Sequence, residues 1–406
     1  MKKSLICLAV TLTAFAISQQ ALASHGNQHT GFGPIQEAMS GVGVAAPLDA
    51  NVIAINPAGM VKVPNRVDFS VMLGMPRSEM NTSAAPAGNA AAGNQSNEFE
   101  VHPMPFISTT WGFLDNRLAF GLAFIQNGGA SASYKQSRAN PAITGNNFDT
   151  YINYQLYKLI PAISYSILDN LSIGASFQMG NAQFGSDMMI TSTLTQTNGR
   201  GRTENSFGFG GSFGLLYEPI EELALGVSYT SVLHFTKLGK YSDLLNNNKL
   251  NTPRQVRAEI AGYPLEEWVL TAGFHWINWR SVSVLGDRPD DGGLGWNNQY
   301  VVKFGTQYTV KDRVALRVGY NWQTDLLSND VIYANALVPL ITQHTVNAGV
   351  GVNITDNWAL DLAFGMSLKR SATESGTGGA ISAAGAGTRV NYVGYAGVIG
   401  ASYIWD

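Results

Sequence analysis

Beyond about residue 66 the chain alternates, with large apolar side chains at every second position and small or polar ones between them. Val314, Leu316, Val318, Tyr320 and Trp322 fall on one side, opposite Ala315, Arg317, Gly319, Asn321 and Gln323. The same split separates Trp358, Leu360, Leu362, Phe364 and Met366 from Ala359, Asp361, Ala363, Gly365 and Ser367. Period-two alternation predicts β-strands with one apolar face. Six short acidic or polar turns, around Asp115, Asp169, Glu221, Glu266, Asp312 and Asp356, recur at intervals of 54, 52, 45, 46 and 44 residues. Such a period suits two strands of about ten residues, one tight turn and one longer loop. Six hairpins, with one strand before them (residues 66–75) and one after (389–405), predict fourteen strands. The longer loops are expected near residues 76–100, 128–150, 181–206, 236–253, 280–296, 324–342 and 369–388.

Composition decides which solvent the apolar face meets. Charged residues are only 13% of the chain, about half the ~25% usual in soluble domains. A soluble sandwich or propeller built from these strands would leave a wide apolar band in water. Beyond the N-terminus, no segment offers the ~20 consecutive apolar residues of a membrane helix, so a closed barrel is the structure that satisfies its backbone in lipid. We therefore expect an all-β fold: a 14-stranded antiparallel transmembrane β-barrel, residues 66–406, with small and polar residues pointing inward. Residues 1–23 read as a signal peptide, with Lys2 and Lys3, a short apolar core, and Ala21-Leu22-Ala23 before Ser24. Cys7, the single cysteine, lies within it, so the mature chain has no thiol for disulfides, zinc or nucleophilic catalysis. Removing its two lysines leaves 23 basic against 28 acidic residues, a net charge of −5, and nucleic acid is not an expected partner. Export and an even strand count put both mature termini and the tight turns in the periplasm of a Gram-negative cell, and the longer loops outside.

Residues 24–65 do not alternate. A barrel of fourteen strands is too wide for its own side chains to fill, and folding this segment inside would plug it as a hatch. Asn56-Pro57-Ala58-Gly59-Met60 reads as a tight turn ahead of the first strand. Asn56-Pro57-Ala58-Gly59, after a Gly/Ala-rich N-terminal segment, resembles the hatch motif of the FadL family of outer-membrane transporters for long-chain fatty acids and other hydrophobic compounds. Further matches follow in order: Gly214-Leu215-Leu216-Tyr217-Glu218-Pro219, Thr252-Pro253, Trp276-Ile277-Asn278-Trp279 and His344-Thr345-Val346-Asn347-Ala348-Gly349. The resemblance implies a hatched fourteen-stranded barrel for passive uptake. Ligand is caught at external loops, passes through an interior pocket and leaves sideways through the wall.

Candidate sites follow from these expectations. Met188, Met189 and Ile190 in the third loop and Leu244 and Leu245 in the fourth are apolar residues suited to capture, since methionine adapts to varied ligand shapes; loop-to-loop packing is the alternative. Arg257, Lys303 and Arg317 face inward with Glu259 and Asp361, where a cation can hold a carboxylate or join a wall-to-hatch salt-bridge network. Phe32 is the expected hatch contact with ligand, and Asn56, Pro57 and Ala58 the hatch anchor. Gly128-Gly129 marks either a weak point in the wall or an ordinary loop start. His25 and His29 read as a flexible polar start, with adventitious copper binding as the alternative, and Asp287, Asp290 and Asp291 as a solvated turn without calcium-loop spacing. No nucleophile–base pair, metal site or cofactor motif is visible, so an enzyme is not expected. The leading class is a monomeric transporter of long-chain fatty acids, embedded among outer-membrane lipid and lipopolysaccharide. Aromatic hydrocarbon or alkane uptake by the same route is the variant reading, and a general porin the alternative of another class.

Overall fold

The computed structural model describes residues 25–86, 94–97, 101–134, 150–186, 203–242, 245 and 249–405. All described strands belong to one antiparallel sheet of sixteen, two of which are short: Asn94–Ser96 and His234–Phe235. The remaining fourteen form the wall: β1 Arg66–Asn81, β2 His102–Phe113, β3 Leu118–Tyr134, β4 Thr150–Leu168, β5 Leu171–Ser186, β6 Glu204–Ile220, β7 Leu223–Thr230, β8 Gln255–Leu265, β9 Trp268–Ile277, β10 Gln299–Val310, β11 Val314–Gln323, β12 His344–Asn353, β13 Trp358–Thr373 and β14 Arg389–Ile404. Each wall strand pairs with its sequence neighbour, and β14 returns to β1 from Arg66↔Ile404 to Asn81↔Arg389, closing the barrel. All six acidic turns fall between strands where the alternation placed them, at one end of the barrel, together with the start of β1 and the finish of β14. Leu114, Asp115 and Asn116 take positive φ in the first turn, as do Lys311 and Asp312 in the fifth, conformations that Asp and Asn tolerate better than most residues.

The faces agree with the alternation. Phe213, Val318, Ile399 and Leu362 are half exposed or more on the outer surface, whereas Arg317, Asn321, Asp361 and Ser212 are buried on the inner one. Outward Trp and Tyr residues gather near the turn end (Trp268, Tyr308, Trp358, Tyr403) and again nearer the loop end (Tyr229, Tyr300, Trp322), with Phe, Leu, Val and Ile between. On β9 the two levels are marked by Trp268 and Trp276, about 27 Å apart along a strand rising 3.4 Å per residue, or ~20 Å across a bilayer at a typical tilt. The molecule thus carries an apolar band between two aromatic girdles, the geometry of a membrane barrel.

Strands run further than the alternation indicated. β1 continues to Asn81, β3 to Tyr134, β5 to Ser186 and β13 to Thr373, all inside the expected loops. Above the lipid neither face has to be apolar, so the ladder persists where the hydrophobic signal stops; Gly128-Gly129-Ala130-Ser131 on β3 shows no alternation yet stays paired with β4.

Residues 25–65 occupy the lumen. A segment able to touch every wall strand must lie at the centre, and this one does. The Ala50 amide donates to Asp68 on β1, Ser108 on β2 donates to Asn51, and Ser164 on β4 donates to the Ala58 carbonyl. Asn56 donates to the Leu215 carbonyl on β6, Glu259 on β8 accepts from the Gly43 and Ala45 amides, and Lys303 on β10 donates to the Gly41 carbonyl. Asn347 on β12 donates to Glu37 and accepts from Ser40, and His275 on β9 packs edge-on against His25. On β3, β5, β7, β11, β13 and β14 the contact is through Gly121, Gly174, Gly226, Gly319, Gly365 and Gly400, where a Cβ would collide with residues of this segment. Small inward residues are therefore the mould of the lumenal segment.

At Gly319 an added Cβ would stand 2.4 Å from the Met39 carbonyl carbon, backbone that cannot swing aside. We expect Gly319→Val to destabilise the folded barrel by ~1–3 kcal/mol through overpacking, read as a lower melting temperature of the purified protein. Gly397→Val, at a site with nothing within 4 Å of a Cβ, should leave it unchanged.

Candidate functional site

The lumenal segment is anchored at Asn56. This side chain is fully buried; its amide nitrogen donates to the Val44 carbonyl at 2.6 Å and the Leu215 carbonyl at 3.2 Å, and its oxygen accepts from the Ala58 amide at 3.2 Å. Pro57, with no N–H to satisfy, opens the 3-10 turn Pro57–Lys62 that Asn56 caps. Ala58 is fully buried beside Gly174 and Gly214. At the turn end Lys62 forms an ion pair with Glu218.

Polar chemistry converges in the middle of the lumen. Arg257 on β8 donates to Gln255 at 2.8 Å and, at 3.4 Å, to Thr230. Lys158 on β4 donates to Gln178 at 3.0 Å, and Lys303 on β10 to the Gly41 carbonyl. All three are buried, their hydrogen-bond partners here are neutral oxygens, and Arg257 is close enough to both lysines to act on them electrostatically, while Lys303 also lies within reach of the Glu37 and Glu259 carboxylates. Arg317 differs. It forms a buried pair with Asp361 at 2.6 Å and donates to Gln307, the salt-bridged arrangement that is the alternative to ligand binding. Arg66 is likewise taken by Asp68 at 2.7 Å. Lys158 escaped the sequence reading because β4 is apolar on both faces around it, Tyr157 and Leu159 outside, Leu156 and Ile160 inside.

Two other expectations change. His25 and His29 are 1% and 4% exposed and are not a flexible start: His25 meets the His275 ring at 5.7 Å and His29 the Phe106 ring at 6.0 Å. This start is buried because inward rings of the wall pack against it, His275 on β9 and Phe106 on β2. Phe32 is buried against Phe106 at 6.2 Å in an apolar cluster with Ile53, Met60 and Met72. No grouping of three or more metal-ligating side chains occurs among the described residues.

The wall is interrupted between β2 and β3. Their pairing runs from Phe113↔Leu118 to Phe106↔Ile125 and ends there, although both strands continue. On the β2 side lie Pro103 and Pro105; proline has no N–H for a ladder and is confined to unpaired strand edges. On the β3 side Asn127 is the extra residue of a bulge between Gln126 and Gly128, and Gly128 has φ +157°. The bulge is met from inside by the start of the lumenal segment: Gly129 donates to the Asn27 carbonyl at 2.8 Å, and Gln28 bridges to Gly128. Gln126 is buried, and neither atom of its amide has a partner among the described residues.

At the loop end an apolar cluster caps the lumen, joining Leu233, Phe235, Trp279, Leu285, Trp296, Leu326 and Leu340 to inward Tyr134, Tyr154 and Tyr392. Leu245 is part of it and 5% exposed, whereas Met188, Met189, Ile190 and Leu244 lie outside the described residues. Three loops are tied above this cluster. Asp290 accepts from the Ala380 and Ile381 amides at 2.8 and 3.0 Å, and Arg288 bridges Asp330 and the Gly378 carbonyl. Those amide bonds hold the Asp290 carboxyl below its ordinary range, and the Ser328 hydroxyl and Arg288 do the same for Asp330.

Two outcomes follow. Asn56→Ala strands two buried carbonyls, at ~1–3 kcal/mol each, and should expose the lumenal segment to proteolysis under conditions in which the parent is resistant. The loop tie is formed by carboxyls of depressed pKa, so its contribution is complete above the ordinary aspartate value and is lost as pH falls through the depressed one. Cleavage within 374–388 should be as slow at pH 5 as at pH 7, and Asp290→Ala should accelerate it at both.

Residues 12–406 match the family described as outer membrane protein transport protein (OMPP1/FadL/TodX). No curated protein matches the chain. Among solved structures, the toluene transporter TodX of Pseudomonas putida superposes with a TM-score of 0.69 at 15% identity, covering 93% of this chain and 99% of that one. A Pseudomonas aeruginosa FadL homologue gives 0.68 at 14%, over 94% and 100%, and the Ralstonia pickettii toluene transporter TbuX 0.65 at 16%, over 93% and 99%. At such identities the structures speak for the shared fold, and the match over nearly the whole chain speaks for descent: the protein belongs to the OMPP1/FadL/TodX family of outer-membrane transport proteins.

Proposed function

We propose that this outer-membrane channel for hydrophobic compounds carries long-chain fatty acids, and that residues 24–65 act as its hatch. The observation carrying the choice of cargo is the pair Lys158 and Arg257, two buried cations from two strands hydrogen-bonded to neutral oxygens, with Lys303 beside them already balanced by Glu37 and Glu259. Burying such charges is costly unless an anion meets them. A carboxylate provides that anion through charge-assisted hydrogen bonds, whereas toluene or an alkane offers nothing to pair with them.

The route runs from the loop end to the wall. Apolar loops, with Leu245 and the residues 188, 189 and 244 beside it in sequence or role, take up the acyl chain outside. The carboxylate then meets the lumenal cations, with Phe32 among the apolar residues packed between hatch and wall. Release occurs sideways between β2 and β3, where the ladder stops at Phe106↔Ile125 and Asn27 and Gln28 meet the bulge from inside. Withdrawal of those two residues opens a path from lumen to lipid. Leaving into lipid spares the chain from water, ~0.8 kcal/mol per methylene. In this reading the protein is a monomer, the tight turns and both mature termini are periplasmic, and the hatch keeps it from conducting as a general porin.

The test is uptake by cells lacking the native gene and expressing variants. Arg257→Gln with Lys158→Gln should reduce oleate uptake about tenfold, one charge-assisted hydrogen bond's worth, and leave toluene uptake at the parent level. Equal losses of both, or of neither, would falsify the fatty-acid reading and favour aromatic hydrocarbons or alkanes. Deletion of Asn127 together with Pro103→Thr and Pro105→Thr, which removes the bulge and restores the missing donors so that β2 and β3 can pair upward, should abolish uptake of every apolar compound while the barrel still folds. Parent protein in planar bilayers should show little steady conductance.

A further inference from the structure

The outer surface of the wall is electrostatically two-sided. Near the turn end its exposed charges are mostly acidic: Asp115, Asp169, Glu221, Glu222, Glu266, Glu267, Asp312 and Asp356, with Arg117, Lys311 and Arg313 as the exposed basic residues of the same turns. At the loop end the fully exposed charges along the wall are basic, and three of them, Arg77, Lys369 and Arg389, collect on β1, β13 and β14, with one half-buried carboxylate, Glu79, on the same face of β1, where it accepts from Asn391.

Their arrangement is specific. Up to Ser367, odd-numbered residues of β13 point into the lumen, so regular alternation would send Lys369 inward as well. A bulge between Ser367, paired with Gly394, and Arg370, paired with Tyr392, places both Leu368 and Lys369 opposite Val393 on the outer face. Bulges re-aim side chains in this way. On the other side of β14, Val393 is paired with Arg77 of β1, which also faces outward. Two cations thus flank one apolar residue across two strand spacings, roughly 10 Å. Arg389 stands higher on the same face of β14, between Asn81 and Thr373. Below them, toward the turn end, the face becomes apolar: Tyr395, Met75, Met366, Phe364 and Leu73, with the Phe364 and Tyr395 rings 6.4 Å apart. The basic residues therefore sit one step above the aromatic girdle, at the depth of lipid headgroups, with a lane for acyl chains beneath.

We propose that this face of β13, β14 and β1 is a binding site for a phosphorylated, multiply acylated glycolipid of the outer leaflet. Its phosphates lie between Arg77 and Lys369 and against Arg389, and its chains lie along Leu73, Phe364 and Tyr395. Charge complementarity selects the occupant: a turned-out lysine at the lipid boundary is stabilised by an anionic headgroup and by nothing in the hydrocarbon. The site rests on the reading that the loop end faces the outside, but not on the nature of the cargo.

Native mass spectrometry of the full detergent-purified protein tests it without transport. Bis-phosphorylated lipid A should remain bound to the parent, and its fully dephosphorylated form should not. At about fivefold per basic side chain, Arg77→Gln, Lys369→Gln and Arg389→Gln together should weaken binding by roughly a hundredfold, while Lys237→Gln with Arg280→Gln elsewhere on the loop end should not change it. Should the triple variant fail to fold, Lys369→Gln alone, compared with the parent for both lipids, decides. Equal retention of the two lipids, equal binding by parent and variant, or displacement by phosphatidylglycerol or inorganic phosphate at matched concentration would each overturn the proposal. Loss of oleate uptake with lipid A binding intact would concern the cargo alone.

Discussion

Everything in this structure depends on one constraint: no backbone N–H or C=O can be left unpaired against hydrocarbon. Closure of β14 onto β1 over their full length meets it, and closure sets the rest. Fourteen strands enclose a lumen that side chains from the wall cannot fill, and residues 25–65 lie within it. The inward faces in turn become small and polar, with glycines on six strands where residues 25–65 come closest to the wall. The outward faces stay apolar because they meet lipid.

The same constraint makes any break in the ladder conspicuous. Between β2 and β3 pairing stops at Phe106 and Ile125, and two prolines and a bulge replace it. Such a break survives because the lumenal segment reaches it and takes the Gly129 amide with the Asn27 carbonyl. Wall and lumenal segment are thus in contact at the break: the element that meets the bulge is the one that lies within the barrel. Moving a few residues at its start alters both.

Legibility in the sequence followed lipid exposure. Where one face meets hydrocarbon, as along Val314 to Trp322, each side chain's direction could be read from alternation and agrees with the observed burial. Where strands rise beyond the bilayer, as β1 does past Met75, no alternation is required and the extension was invisible. Inside the lumen, type and direction were readable but partners were not. Arg257, Lys303 and Arg317 were all recognised as inward cations, yet only the fold shows Arg317 joined to Asp361, forty-four residues away, and the other two on neutral acceptors. Lys158 had no signal because its neighbours are apolar on both faces. His25 and His29 looked like a solvent-exposed start because burial across 250 residues of sequence, as between His25 and His275, leaves no local trace.

The sequence by itself determined the strand count, the six tight turns, the lipid-facing and lumen-facing sides of each strand, and the existence of an N-terminal segment with no place in the wall. These properties are local, since each depends on a two-residue period or a short turn motif. Tertiary structure alone decided which wall residues that segment meets, which inward cation hydrogen-bonds a carboxylate, where the ladder opens and which lysine a bulge turns outward. Those depend on which strands become neighbours and on a one-residue slip in register, and a slip of one residue reverses every side chain beyond it.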